Sequence, residues 1–214
     1  MRRMENTPFV RAYRPSDHEA LGHICVMTAH QGGDSSSLYP DHELMPSIFA
    51  HPYARLEPDF AFVLDDGAGT AVGYVLGVPD TAAFAKRFRA EWLPDVADRY
   101  PAPAGPPRTP SEEMIGLLHT PERMVRDELA AFPAHLHIDL LPPWQGRGHG
   151  RALMDTLLGA LHRQHVPAVH LCMVRENTSA RAFYDRLGFR LLTVRDPAPV
   201  WYLGRSTDEA GDSP

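Results

Sequence analysis

The chain has 214 residues, 43% of them hydrophobic, and a formal net charge of −6. That is enough apolar material for one substantial core and leaves no basic surplus to displace counterions from nucleic acid. Cys25 and Cys172 sit in apolar runs and build no disulfide framework, no apolar run reaches membrane-spanning length, and the first residues lack an apolar leader. The expectation is a cytoplasmic protein with no nucleic-acid or membrane partner, a monomer or homodimer, with one domain over residues 1–204 and a loose polar tail over 205–214.

In chain order, Phe9-Val10-Arg11-Ala12-Tyr13 reads as a first strand. Pro15 and Ser16 open a helix with Leu21, Ile24, Cys25 and Thr28 on one face, Ser16 as its N-cap and Glu19 three residues on. Residues 31–58 are rich in Gly, Ser, Pro and His and read as a long connection, either functional or a plain surface loop. The β-rich runs 60–64 and 71–78 flank a Gly/Asp turn and predict a hairpin. Asp80 to Trp92 places Phe84, Phe88 and Trp92 at four-residue spacing, which predicts a helix. Past the proline-rich stretch 102–110, Ser111 caps another helix, Pro121 breaks it, and a second helical piece runs to about Phe132.

His135-Leu136-His137-Ile138-Asp139-Leu140 alternates polar and apolar residues at the period of a strand. Pro142 and Pro143 have no N–H to donate and end its ladder. Beyond Gly146, Gly148 and Gly150, apolar Leu153, Met154, Leu157, Leu158 and Leu161 recur at helical spacing. A glycine-rich loop running into a helix presents free backbone N–H groups and the positive end of a helix dipole, and Arg147 and Arg151 add charge. The stretch suits a phosphate or pyrophosphate, yet its spacing matches neither the Walker A loop nor Gly-x-Gly-x-x-Gly. Residues 168–174 then predict a strand. Asn177, Thr178 and Ser179 offer caps for a helix whose Ala180, Phe183, Tyr184 and Leu187 face inward, Gly188 is its C′ residue, and 189–194 and 200–203 finish as strands. The pairs His135/His137 and His162/His165 lack a carboxylate or cysteine at ligand spacing, so no metal site is expected.

Gln145, Gly148 and Gly150, followed by Asn177-Thr178-Ser179-Ala180-Arg181-Ala182-Phe183-Tyr184-Asp185-Arg186-Leu187-Gly188-Phe189, resemble the two-part signature of the GCN5-related N-acetyltransferases, the GNAT superfamily. Val72-Gly73-Tyr74-Val75-Leu76-Gly77, Phe84-Ala85-Lys86-Arg87-Phe88, Glu91-Trp92-Leu93-Pro94 and Ile138-Asp139-Leu140 further resemble the acetyltransferase-like domain that ends the O-GlcNAcases, over roughly residues 25–205. The resemblance implies an α/β fold with a mixed, mostly antiparallel central sheet of about seven strands, helices on both faces, and a helical insertion before the central strand. It implies acetyl-coenzyme A as cosubstrate, with its pyrophosphate on Gln145, Gly146, Arg147, Gly148, His149, Gly150 and Arg151 and its pantetheine arm along Leu140 and Leu141. Asn177 matches a further contact, with a plain helix cap as the alternative. Tyr184 matches the tyrosine that protonates the leaving thiolate, with a core aromatic as the alternative. Asp139, on the strand side that carries His135 and His137, is the candidate base, or else a surface carboxylate paired with an arginine. The implied function is acetyl transfer to an amine of a small molecule, peptide or protein by direct attack on the thioester. The alternative is a non-catalytic module of the same fold that binds acetyl-coenzyme A or recognises a peptide.

Overall fold

The computed structural model describes residues 7–195 and 199–208. In chain order these form β1 (Phe9–Ala12), α1 (His18–Thr28), α2 (Leu44–Phe49), α3 (His51–Leu56), β2 (Ala61–Asp65), β3 (Ala71–Val78), α4 (Thr81–Arg87), α5 (Leu93–Val96), α6 (Pro110–Leu118), β4 (Ala134–Leu140), α7 (His149–Arg163), β5 (Ala168–Val174), α8 (Thr178–Arg186), β6 (Arg190–Leu192) and β7 (Val200–Ser206). A π-helical turn, Phe88–Trp92, joins α4 to α5. The strands make one sheet in the order β1-β2-β3-β4-β5-β7-β6, antiparallel at every junction except β4–β5. This is the GNAT fold implied by the resemblance. None of the helices is long and apolar enough to cross a membrane.

Alternation along β4 divides the interior in two. Leu136, Ile138 and Leu140 face the aliphatic stripe of α7, where Leu153, Met154, Leu157 and Leu161 are fully buried, each stabilising by on the order of 2 kcal/mol before ordering costs. The opposite face carries Tyr74, Leu76 and Val78 of β3 beneath α1–α6, with Phe84 and Trp92. His135, His137 and Asp139 point into this second layer, because the insertion covers the side of β4 that alternation marks as polar. Polar groups placed there need partners, and those partners shape the site.

Residues 31–58 are not one loop. Six-residue α2 and α3 bury Leu44, Met45, Ile48, Tyr53 and Leu56 in the second layer. Pro46 and Pro52 lie in first turns, where the missing N–H costs nothing. Ser16 does not cap α1. Pro15–Asp17 is a 3-10 turn, and the Asp17 carboxylate accepts the Arg14 N–H at 2.8 Å. Thr109 rather than Ser111 caps α6, its Oγ1 accepting from the Glu112 N–H at 3.1 Å. The helical piece expected up to Phe132 is two 3-10 turns, Pro121–Met124 and Asp127–Leu129. The expected tail is also shorter, since β7 pairs Arg205 with Val169 and Ser206 with Ala168, and buried Thr207 donates to the Val166 carbonyl. Residues 209–214 lie outside the described residues.

Candidate functional site

Two prolines stop β4, and the loop beyond them is shaped by its own residues. The Leu141 N–H still donates to the Val72 carbonyl at 3.0 Å, a 3-10 turn covers Pro142–Trp144, and Gln145 Nε2 ties the loop back to the Leu140 carbonyl at 2.7 Å. Gly146 and Gly148 have φ of +70° and +86°, and Gly148 is the N-cap of α7. The three glycines serve different ends. A Cβ on Gly146 or Gly148 would meet nothing, so those positions are set by backbone conformation, whereas a Cβ on Gly150 would lie 3.1 Å from the Phe183 ring. Gly150 therefore lets α7 close on α8. The N–H groups of residues 146–151 find no acceptor among the described residues, and they stand at the positive end of a fifteen-residue helix. Arg147 is exposed, while the Arg151 guanidinium is drawn to the Arg186 carbonyl at 3.1 Å.

Beside this loop the sheet opens. The parallel ladder between β4 and β5 covers only Ala134 against Val169 and His135 against His170. From Leu136 to Leu140, β4 is paired on the β3 side alone. Because Leu141 and Asp139 turn their amides toward β3, strand alternation turns those of Leu140 and Ile138 into the gap.

Asp139 sits at the far end of that gap. Register sets it opposite Tyr74, whose hydroxyl donates to Asp139 Oδ2 at 2.7 Å. Enclosure by protein raises its carboxyl to about 6, against the lowering effect of that hydrogen bond. The arginine pairing left open by the sequence is not what is observed, since no cation lies within ion-pair distance of Asp139 among the described residues.

Tyr184 has its ring in the core against Phe183 and Phe189. Burial pushes its hydroxyl pKa up, and Asp139 and Cys172 are near enough to add to the rise. That hydroxyl has no hydrogen-bond partner among the described residues. Asn177 caps α8, its Oδ1 accepting from the Ala180 N–H at 3.1 Å and the Ser179 hydroxyl at 3.0 Å, which is the alternative reading of that residue.

A separate chain of hydrogen bonds runs on the same face of β4. The Thr81 hydroxyl donates to the Pro133 carbonyl at 2.7 Å, so the 2.9 Å contact with His135 Nδ1 requires that nitrogen to carry the proton. His135 Nε2 then accepts from the Tyr53 hydroxyl, and His137 Nε2–H donates to the same oxygen, both at 3.1 Å. Burial favours the neutral form of both rings, lowering His137 to about 4 and His135 well below the ordinary imidazole value. Among the described residues no group of three or more His, Cys, Asp and Glu is arranged to hold a metal.

Sequence reading missed Tyr74, Arg123 and Arg126. Tyr74 becomes a partner of Asp139 only through a register spanning 65 residues. Arg123 on the Leu117 carbonyl and Arg126 over the Tyr202 ring of β7 come from irregular turns that carry no periodic signal.

Three comparisons bear on this arrangement. The Acetyltransferase (GNAT) family profile matches residues 114–189, from α6 to the residue after Gly188. Protein O-GlcNAcase of Rattus norvegicus is 28% identical over 202 residues, 92% of this chain, and the chain spans 22% of that protein's length. The crystal structure of SsHAT is 64% identical, covers 95% of this chain and all of its own, and superposes with a TM-score of 0.92. A phosphinothricin acetyltransferase from Sinorhizobium meliloti, solved in complex with acetyl-coenzyme A, shares the fold at a TM-score of 0.53 and 16% identity over 94% of this chain and 88% of its own.

Proposed function

The chain belongs to the GCN5-related N-acetyltransferase superfamily, and from that premise we propose that it transfers the acetyl group of acetyl-coenzyme A to an amine by direct attack on the thioester. In this reading the free N–H groups of residues 146–151 and the α7 dipole hold the pyrophosphate, and exposed Arg147 adds charge. The gap-facing amides of Ile138 and Leu140 serve the pantetheine arm and the developing oxyanion. Asp139 takes a proton from the acceptor's ammonium, freeing the neutral amine whose lone pair attacks the thioester carbon. Tyr184 gives its phenolic proton to the departing thiolate.

The observation that carries this reading is the state of Asp139. A base working near neutral pH must be ionised there and still have appreciable proton affinity, and a carboxyl near 6 without a cation meets both demands. A carboxylate in a salt bridge would be a far weaker base. The Tyr74 hydroxyl fixes the carboxylate through Oδ2.

The test measures thiol release from acetyl-coenzyme A across a panel of amine acceptors. With the preferred acceptor, Asp139→Asn should leave cofactor affinity unchanged and lower kcat/KM by about 10³-fold, within the range for losing a general base. The parent rate should rise with pH through about 6 as Asp139 ionises. A parent that binds acetyl-coenzyme A yet acetylates nothing would make the chain a binding module instead.

A further inference from the structure

Asp139 is also met from α1. This helix lies across β3 and β4 on the sheet face that carries Asp139, and its last turn brings up Cys25 and Thr28, both buried. Three residues apart, the two side chains share one side of the helix. Cys25 sits against the Tyr74 hydroxyl, and the Thr28 hydroxyl is within hydrogen-bonding reach of the Asp139 carboxyl. Tyr74 already donates to Asp139 Oδ2 at 2.7 Å, so two hydroxyls from two elements border one carboxyl.

The titratable groups that face Asp139 among the described residues are Cys25 of α1, Tyr74 of β3 and Tyr184 of α8. Burial raises all three pKa values and keeps these groups uncharged near neutral pH. His137, two residues along β4, is lowered to about 4 and is uncharged there as well. Asp139, at about 6, is the member of this set whose charge changes in that range.

The two hydroxyls are not equivalent. The Tyr74 proton lies on the carboxyl. The Thr28 hydroxyl also has one proton, and it gives that proton to the Ile24 carbonyl at 2.7 Å, with the Cys25 carbonyl at 3.4 Å. Toward Asp139 it then presents lone pairs. Lone pairs suit a protonated carboxyl, whose O–H needs an acceptor, and oppose a carboxylate, which needs donors. A threonine bond to the carbonyl four residues back adds little to a helix, and Ile24 is an internal carbonyl of α1 that keeps its helical N–H partner without it. Turning the hydroxyl alone moves the proton from Ile24 to Asp139.

Taking Asp139 as the base of the acetyl transfer proposed above, we propose that Thr28 is a positioning residue whose hydroxyl proton follows the charge of the carboxyl, resting on the Ile24 carbonyl while Asp139 is protonated and turning to Asp139 when it is ionised. A base passes through both forms in every turnover. Tyr74 donates throughout, and Thr28 reverses, so neither form is left without a partner in a site closed to water. The carboxyl consequently stays near the working pH, where burial alone would carry it higher.

The test compares Thr28→Val, which keeps the shape and loses the hydroxyl, with Thr28→Ser, which keeps the hydroxyl. Valine deprives the ionised form of a donor, so the acidic limb of kcat/KM should move up by about one pH unit. The rate at high pH should stay within about threefold of the parent, and acetyl-coenzyme A affinity should not change. Serine should return the limb to the parent position. A valine limb that coincides with the parent's, or one that serine fails to restore, would overturn the proposal. A readout without substrate separates this inference from the enzyme reading. The stability difference between each protein and its Asp139→Asn form grows with pH until Asp139 is ionised in the native state. It should level off at about 6 in the parent and about one unit higher with valine. That displacement in a chain that acetylates nothing keeps Thr28 as the partner of the carboxyl and removes the enzyme. The same level-off in both proteins, with acetylation intact, keeps the enzyme and removes the role of Thr28.

Discussion

At the β1–β2 edge, Arg11 lies between two carboxylates, Asp17 at 2.6 Å and Asp65 at 2.8 Å, and all three side chains are less than a tenth exposed. Burial alone would raise both carboxyls, but hydrogen bonds from Arg11 and from backbone N–H groups carry Asp17 and Asp65 below the usual carboxylate range. In the cleft the same residue types stand apart. Among the described residues Asp139 has a tyrosine and no cation, and Arg123 and Arg126 have carbonyls and an aromatic ring but no anion. The first set is complete within the chain and fixes where β1 and the α1 entry sit. The second is held by uncharged groups instead, a tyrosine hydroxyl on the carboxylate and backbone carbonyls on the guanidinium groups. The same residue types thus separate scaffold from site according to whether charge meets opposite charge.

The sharpest way to break this contrast is to damage the complete set. Arg11→Met removes the shared cation and leaves two buried carboxylates uncompensated, so we expect a loss of about 3 kcal/mol in urea unfolding at pH 7, with kcat of the folded fraction unchanged. A loss under 1 kcal/mol would mean that solvent already screens the triad.

The incomplete set should respond with the opposite sign. The folded-state carboxyl of Asp139 near 6 lies above its unfolded value near 4, so the native protein holds a proton that the unfolded chain has lost, and stability falls as pH rises through that window. Asp139→Asn removes this penalty and can still accept the Tyr74 hydrogen bond. It should be more stable than the parent by about 1–2 kcal/mol at pH 7, with the difference vanishing near pH 4. Destabilisation at pH 7 would show that the charged carboxylate holds the fold together.

The smallest stability effect belongs to Tyr184. Its hydroxyl has no partner to lose among the described residues, so Tyr184→Phe should change unfolding free energy by less than about 0.5 kcal/mol while turnover falls by about 10²-fold. A variant that unfolds easily but turns over normally would return Tyr184 to the core.

How much of this was legible in the sequence depends on the range of the determining interaction. The loop from Leu141 to Gly150, the α7 stripe and the cap at Asn177 are written in neighbouring residues, and the prolines, glycines and helical spacing disclose them. The helices α2 and α3 escape notice because six residues are too few for periodicity, and Pro46 and Pro52 look like loop punctuation when they are first-turn residues. The alternation of β4 correctly separates Ile138 and Leu140 from Asp139. It does not show that residues 18–118 cover the polar side, and that covering is what lifts the Asp139 carboxyl. The pairing of Tyr74 with Asp139 and the approach of Arg126 to Tyr202 depend on register and on turns without a repeat, so only the folded arrangement reveals them.

The short parallel ladder between β4 and β5 has a mechanical consequence. A seven-stranded sheet is ordinarily one plate, but here two residue pairs form the whole central seam, with β1–β4 on one side and β5, β7 and β6 on the other. Across the seam the halves are also tied by the α7–α8 junction, through Gly150 against Phe183 and Arg151 on the Arg186 carbonyl. The sheet is therefore two leaves of a book, bound at the spine near Ala134 and free to splay toward Leu140. A bound chain that takes hydrogen bonds from the inner margin of β4 stands in for the missing strand and stitches the leaves together, so filling the gap adds stiffness where the covalent fold supplies least.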